Sequence, residues 1–438
     1  MSNDETGAVP AQALSSAQPS HSSPSSSQVS AQVSAHGDAN ALLDEIADIG
    51  TDPVRGGYSR PVFSAAEFVL RSWFIRHATS RGLDVEIDGN GIIWAWWDVP
   101  GHDRSDVIVT GSHLDSVPGG GNYDGPLGVV SGLAAVDVLR DRGVQPVRPL
   151  AVAVFPEEEG SRFGIACLGS RLLSGAITPD RARDLTDGDG ISYAEASWAA
   201  GFDPQLIGPD PERLAGIAAF VELHVEQGRG LEDLGQPVAL AGAILGHGRW
   251  HVVIEGRGDH AGATRMVDRQ DPMIVAAAAV NSVRERTLAV PDARGTVGRM
   301  IVVPGGTNVI AFRVELWLDV RHRDEDAVRR IVEQVTSDAA AAAEAEGCTV
   351  VVSEQSFSPT VDFNAELRDR MQAVLPEAPV LDTGAGHDAG VLAAEIPTAM
   401  LFVRNPTGAS HTPAEYSAPT DVATGVVALA DVLEDLLG

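Results

Sequence analysis

Cysteine is scarce in this chain of 438 residues, which has only Cys167 and Cys348. Two cysteines give no disulfide framework, which favours a reducing compartment and predicts a cytoplasmic protein. Long apolar runs are missing as well. A helix that crosses a bilayer needs about 20 mostly apolar residues, so no membrane span is expected.

Basic residues are outnumbered, with 31 lysines and arginines against 61 acids and a formal net charge of −30. This charge excludes nucleic acid as a partner, because a polyanion gains nothing by releasing counterions to such a surface. It does not exclude a small anionic substrate, since a metal ion or one arginine can reverse the sign of the charge locally.

Large apolar side chains are almost absent from residues 1–40, a tract rich in Ser, Ala, Gln and Pro. Burial there cannot offset the entropy of ordering the chain, so we predict a disordered tail. The tract also lacks the basic and apolar regions of a secretory signal. Folded sequence is predicted from about Leu42, and the length favours two domains.

The stretch that organises the rest of the chain follows the apolar run Val107–Val109, which reads as a buried strand. His113 and Asp115 lie at the carboxyl end of that strand, and Asp124 follows a turn of consecutive glycines. Such a loop is often a plain turn or an anion cradle. It lacks a P-loop lysine, and its acids would repel phosphate. The stretch therefore favours a metal site whose other ligands lie elsewhere.

Two further apolar segments carry acids or histidine at their ends. The predicted strand Leu150–Phe155 runs into Glu158 and Glu159, and the segment Ala218–Val225 contains His224. By themselves, an acidic run is usually a solvated patch and a lone histidine is usually a packed core residue. Their positions at strand ends favour a shared site, because open α/β sheets place their chemistry there.

With His411 in a late loop, five groups form the predicted metal site: His113, Asp124, Glu159, His224 and His411. Mixed nitrogen and oxygen ligands suit zinc, manganese or cobalt. A carboxylate with ligands on both sides in the chain can bridge two ions, which together form a clamp for hydrolysis. Glu158 would then be free to act as a base.

A second pattern begins near Gly242. Asp271 and Pro272 form an N-cap and N1 pair that opens one helix, and an Ala-rich helix runs from Asp324 to Gly347. With the strands around them, the order is β-α-β-β-α-β, that of an inserted ferredoxin-like unit. The predicted domains are a tail at 1–40, a catalytic domain at 41–241 and 357–438, and a lid domain at 242–356.

Seven motifs together are highly specific: Gly-Ser-His113-Leu-Asp115-Ser-Val-Pro, Asp124-Gly, Glu158-Glu159-Gly-Ser-Arg-Phe, Glu222-Leu-His224-Val-Glu-Gln227-Gly, His260-Ala-Gly-Ala-Thr, Gly386-His387-Asp388-Ala and Ser410-His411-Thr-Pro-Ala-Glu415. From about residue 41 to the C-terminus, the chain resembles the M20-type dinuclear metallohydrolases. Within them it is similar to the branch of N-carbamoyl-L-amino acid hydrolases, β-ureidopropionases and allantoate amidohydrolases. The resemblance implies a phosphorylase/hydrolase-like α/β metallohydrolase domain with an inserted ferredoxin-like α+β lid that also forms a homodimer.

The resemblance further implies two divalent ions per subunit, Zn²⁺ or Mn²⁺, with Co²⁺ or Ni²⁺ as alternatives. One ion would be held by His113, Asp124 and His224, and the other by Asp124, Glu159 and His411. By the same resemblance, Asp115 would orient His113, and Glu158 would be the general base that takes a proton from the attacking water.

Substrate contacts also come from the resemblance. It implies that His260 supports the developing oxyanion, that Asn308 and Arg321 bind a substrate carboxylate, and that these lid residues reach the partner's site in the dimer. Gln227 would make a polar contact beside the metals, and His387 would line the substrate pocket. Without the resemblance, Arg321 would read as an ordinary surface salt bridge.

The implied reaction is hydrolysis of a linear amide C–N bond in a ureido or carbamoyl substrate that bears a carboxylate, releasing ammonia and carbon dioxide. Tyr58-Ser59-Arg60 and Trp94-Ala95-Trp96-Trp97 resemble allantoate amidohydrolases, which makes allantoate the first choice. N-carbamoyl-L-amino acids and β-ureidopropionate are the alternatives. An M20 dipeptidase or aminoacylase is disfavoured by the Gln227 motif, and an inactive binding protein by the intact Glu158.

Overall fold

The computed structural model describes residues 38–438, so the predicted disordered tail lies outside the described residues except for its last three. None of the helices within 38–438 has the length and apolar composition that crossing a membrane requires. The strands are β1 Asp84–Ile87, β2 Ile93–Trp97, β3 Val107–His113, β4 Leu150–Phe155, β5 Ile217–Val225, β6 Val238–Ile244, β7 Gly246–Glu255, β8 Asp259–His260, β9 Arg294–Val303, β10 Val309–Ile310, β11 Arg313–His322, β12 Thr349–Ser358, β13 Val361–Asp362, β14 Val380–Thr383 and β15 Thr398–Val403. The α-helices are α1 Ala39–Glu45, α2 Ala65–Ser80, α3 Pro126–Asp141, α4 Leu168–Ser174, α5 Pro179–Arg183, α6 Tyr193–Ala199, α7 Pro211–Ala215, α8 Gly230–Leu234, α9 Pro272–Leu288, α10 Glu325–Glu346, α11 Ala365–Val374, α12 Asp388–Leu392 and α13 Pro419–Leu437.

A nine-stranded sheet has the order β1-β2-β4-β3-β5-β15-β6-β13, with β14 beside β6. Its central strands β4, β3, β5 and β15 are parallel. β1 and β2 pair antiparallel with their neighbours, and β6 is antiparallel to β15 and β13 but parallel to β14. Each residue of β3 and β4 is buried, as expected for parallel strands covered on both faces. This arrangement confirms the predicted α/β class.

Two apolar cores cover the two faces of this sheet, and alternate residues of one strand point to each of them. Ile108 of β3 packs with Phe74 of α2 and Leu433 of α13 on one face. Val109 packs with Phe220 of β5 on the other. With both faces filled, the open region next to the central strands is the edge where they end.

A second sheet has the antiparallel order β12-β7-β11-β9. Burial alternates along β7 and β11, because one face packs on α9 and α10 while the other does not. Apart from the two-residue strands β8 and β10, which pair with each other, the order of strands and α-helices from β7 to β12 is the predicted β-α-β-β-α-β of a ferredoxin-like unit. Both sheets lie within one compact unit, so the division into a catalytic and a lid domain stays a prediction.

Two helix starts show side-chain caps. Ser64 accepts a hydrogen bond from the Glu67 amide at the start of α2, and the Asp271 side chain accepts one from the Met273 amide at the start of α9, as predicted. The segment between β4 and β5 contains the four short helices α4, α5, α6 and α7. Strand β6 is an element that the apolar pattern did not predict.

We predict that Leu433→Ala lowers the free energy of unfolding by about 2–5 kcal/mol, because it leaves a cavity in a filled core. Leu433 is fully buried, whereas Val427 on the same helix is 45% exposed. Val427→Ala is therefore the matched control, with an expected change within about 0.5 kcal/mol. Equal shifts of the two variants in urea unfolding would contradict this packing.

Candidate metal centre

The parallel strands of the large sheet bring the predicted ligands to one edge. β3 ends at His113, β5 carries His224 next to its end, and Glu159 lies shortly after β4. Asp124 lies between β3 and α3, and His411 lies in the loop after β15. Residues nearly three hundred positions apart meet because the carboxyl ends of neighbouring parallel strands lie side by side.

Two groups of candidate ligands match the predicted site. The first is fully buried and consists of His113, Asp124 and His224, whose candidate ligand atoms all lie within 4.8 Å of one another. Glu222, His224 and His387 form another buried group, which shares His224 with the first but was not predicted. The Nε2 atoms of His113 and His224 lie 3.7 Å and 3.3 Å from Oδ1 of Asp124. The Nδ1 of His113 is 3.0 Å from the backbone carbonyl of Asp115. The Nδ1 of His224 is 2.9 Å from the carbonyl of Val225. Because a carbonyl only accepts, each Nδ1 donates the hydrogen bond, and each Nε2 faces Asp124.

The cluster favours positive charge, because carboxylates surround its two histidine nitrogens. Among the described residues, the Nε2 atoms of His113 and His224 are buried without a hydrogen-bond partner. Burial lowers the pKa of His113, but the carboxylates of Glu158 and Asp124 outweigh it and raise this pKa well above its ordinary value. The surrounding carboxylates therefore favour positive charge in the cluster. A divalent ion with nitrogen and oxygen ligands would supply that charge.

A second group consists of Asp124, Glu159 and His411. The Nε2 of His411 is 3.3 Å from Oδ2 of Asp124 and 3.3 Å from Oε2 of Glu159. Asp124 is therefore shared, with one carboxylate oxygen facing each group. The imidazole of His411 is half exposed, whereas the first group is fully enclosed, so the cluster opens to the surface on the His411 side.

Glu158 lies beside the cluster but belongs to neither ligand group. Its Oε2 is 3.6 Å from the Nε2 of His113, and the residue is 6% exposed. Burial raises the pKa of Glu158 well above its usual value and raises that of Glu159 to about 8. A buried carboxylate next to a ligand cluster is placed to accept a proton.

Asp115 supports the cluster in two ways. Its backbone carbonyl receives the hydrogen bond that orients His113, while its carboxylate lies 3.6 Å from the same Nδ1. That carboxylate accepts hydrogen bonds from the amides of Glu158 and Glu159 at 3.2 Å and 3.1 Å. The sequence prediction named only the orientation of His113. The structure adds that Asp115 fixes the acidic turn.

Gln227 and His387 also adjoin the cluster. The side-chain amide of Gln227 donates to Oδ2 of Asp124 at 2.8 Å. The ring of His387 is buried, with its centroid 4.5 Å from that of His224. Burial lowers the pKa of His387 well below its ordinary value, and the neighbouring His224 lowers it further, so the ring is neutral.

The three predicted lid residues stand apart from this cluster. His260 is exposed, and its Nδ1 accepts from the amides of Gly262 and Ala263. Asn308 is exposed in the loop before β10. Arg321 pairs with Asp319 at 2.7 Å and donates to the carbonyl of Gly384, in the loop that leads to His387. Within residues 38–438, neither candidate ligand group includes any of the three.

Two buried acids had no predicted role. Oε1 of Glu415 accepts from the amides of Tyr123 and Asp124 at 2.9 Å each, which ties the shared ligand to the His411 loop. The carboxylate of Glu222 accepts from the Ser112 hydroxyl and the Ala389 amide. Both acids lie within the recognised motifs, but spacing along the chain gave no sign of these partners.

The sequence of the chain matches a known protein family. A model of peptidase family M20/M25/M40 matches residues 109–435. An N-carbamoyl-L-amino acid amidohydrolase from Geobacillus stearothermophilus is 36% identical over 88% of this chain and 95% of that protein. An allantoate amidohydrolase from Escherichia coli is 31% identical over 90% of this chain and 96% of that protein.

Solved structures show the same fold. An amidase of the hydantoinase/carbamoylase family from Burkholderia multivorans superposes with a TM-score of 0.81 at 30% identity, covering 92% of this chain and 98% of that one. The candidate ligand groups and the family both indicate dependence on a divalent metal. The chain therefore belongs to peptidase family M20 and is a hydrolase of carbon–nitrogen bonds in linear amides other than peptide bonds.

Proposed function

We propose that the protein hydrolyses a C–N bond of a ureido or carbamoyl group in a small substrate that carries a carboxylate, releasing ammonia and carbon dioxide. The observation that carries this proposal is the shared Asp124, which has a histidine-containing ligand group on each side and the free carboxylate of Glu158 beside it. The relatives named for carbamoyl amino acids and allantoate support the substrate class.

Two divalent ions are proposed for this cluster, zinc or manganese, with cobalt or nickel as alternatives. His113, Asp124 and His224 would hold one, and Asp124, Glu159 and His411 would hold the other. When bound, such ions act as Lewis acids that lower the pKa of water and stabilise negative charge on a carbonyl oxygen. The protein holds the ligands rigid, since Gln227 and Glu415 bind Asp124 from its side chain and its backbone.

Glu158 is proposed as the general base and acid. It takes a proton from water as the water oxygen adds to the ureido carbonyl carbon. It then gives that proton to the leaving nitrogen as the C–N bond breaks and ammonia departs. The remaining carbamate loses carbon dioxide. The high pKa that burial gives this carboxylate lets it hold the proton between the two steps.

The lid residues are proposed to act across a homodimer in the cytoplasm. His260 would polarise the carbonyl oxygen, and Asn308 and Arg321 would bind the substrate carboxylate, for which the planar guanidinium is suited. His260 and Asn308 are exposed and outside their own chain's ligand groups, which fits residues that serve a neighbouring subunit.

Three of the residues whose patterns first favoured allantoate lie in the interior of the fold. Trp94, Trp96 and Arg60 are at most 2% exposed. Arg60 donates to the carbonyls of Ile46 and Ile49, so it supports the fold rather than touching a substrate. The 36% identity with an N-carbamoyl-L-amino acid amidohydrolase makes those compounds an equal candidate beside allantoate.

We predict that the metal-reconstituted protein releases ammonia from allantoate, N-carbamoyl-L-amino acids or β-ureidopropionate, and that a chelator abolishes the release. The panel should include a dipeptide and an N-acetyl amino acid as peptidase and aminoacylase substrates. Cleavage of these alone, with no ammonia from any ureido compound, would refute the proposal.

We predict that Glu158→Gln lowers kcat by about 10²–10⁴-fold, because the proton acceptor is lost while the ligands stay in place. The metal content, measured by mass spectrometry, should match the wild type. A rate close to the wild type would remove Glu158 from the reaction.

Arg321→Ala is expected to raise KM by about tenfold or more with a smaller change in kcat, since a charged contact to the substrate carboxylate is lost. Arg249→Ala is the matched control, because Arg249 pairs with the same Asp319 at 3.3 Å but carries no proposed substrate role. If both variants show the same KM, Arg321 does not bind the substrate.

A further inference from the structure

Cys167 lies directly against the carboxylate of Glu158. Its Sγ is 3.3 Å from Oε1, within hydrogen-bond distance for a thiol donor. The other oxygen of Glu158, Oε2, faces Nε2 of His113 at 3.6 Å. One carboxylate oxygen of Glu158 therefore faces the thiol, and the other faces the ligand cluster.

The backbone fixes the thiol relative to this carboxylate. The amide of Cys167 donates to the carbonyl of Glu158 at 2.6 Å, and those of Leu168 and Gly169 donate to Glu157 and Pro156 at 3.0 Å and 3.1 Å. The first amides of α4 are thus satisfied by the carbonyls of the acidic turn. Cys167 therefore donates hydrogen bonds to Glu158 from both its backbone amide and its thiol.

Cys167 adopts a left-handed conformation, with φ 55° and ψ 38°. A residue with a β-carbon is strained in this conformation, whereas glycine is not. A cysteine at a position that favours glycine indicates that its side chain is used. Strain of this kind is concentrated at functional sites.

The hydrogen bond between Cys167 and Glu158 is buried. Cys167 is 3% exposed and Glu158 is 6% exposed, so water does not readily replace a lost partner. Among residues 38–438, the thiol makes the one hydrogen bond that the Glu158 carboxylate receives. A buried carboxylate with a single donor is oriented by that donor.

We propose that Cys167 is a positioning residue for the general base: its thiol holds Oε1 of Glu158 so that Oε2 faces the attacking water. This inference rests on the proposed role of Glu158. The thiol itself neither touches the substrate nor exchanges protons with it. It acts by restricting the rotation of a carboxylate that must meet water in one orientation.

The test compares Cys167→Ala, which removes the donor, with Cys167→Ser, which keeps a donor in nearly the same place. We expect the alanine variant to lose about tenfold in kcat with KM within about twofold, and the serine variant to keep most of the wild-type kcat. Metal content and thermal unfolding midpoint should change little in either. Cys348→Ala, at the other free cysteine, is the matched control and should leave the kinetics unchanged.

Wild-type kcat in Cys167→Ala would overturn the inference, as would equal losses in the alanine and serine variants, since shape rather than hydrogen bonding would then explain them. A loss expressed only in KM would overturn it too. Glu158→Gln, measured alongside, separates this inference from the proposed function. An inactive Glu158→Gln with a fully active Cys167→Ala refutes only the role of Cys167. An active Glu158→Gln refutes the base itself.

Discussion

Negative charge buried around Asp124 is the constraint on which the rest of this structure depends. Each of its two oxygens faces a histidine nitrogen, and the acids Glu158 and Glu159 lie close by. Such a group is costly to bury unless a cation or several donors compensate it. The side chain of Gln227 donates a hydrogen bond to Asp124. The remaining negative charge favours a cation, as in a metal site.

Rigid surroundings keep these like charges together. The parallel strands are covered on both faces by apolar cores, so the ligands at their ends project from backbone that cannot shift far. The loops between them include non-glycine residues with positive φ, namely Glu157, Cys167 and His411. The surrounding packing maintains the strained backbone at these positions. This backbone conformation sets the direction of the side chains that follow.

The region from β7 to β12 carries the residues proposed to bind the substrate. Arg321 of β11 is held by Asp319 and donates to the carbonyl of Gly384, in the loop before His387. His260 and Asn308 are exposed. In the proposed function these residues bind the substrate, and the ligand cluster at the end of the large sheet binds the metal ions.

The sequence by itself predicted most of the strands and helices and the candidate ligands. Short apolar runs predicted β3, β4 and β5, and the Asp271-Pro272 pair predicted the start of α9, because these signals are local. Only the tertiary structure decided that Trp94 is fully buried, that Glu415 accepts a hydrogen bond from the Asp124 amide, and that the Cys167 thiol donates one to Glu158. Such partners are set by how strand ends and loops meet in space, and spacing along a chain carries no record of that meeting.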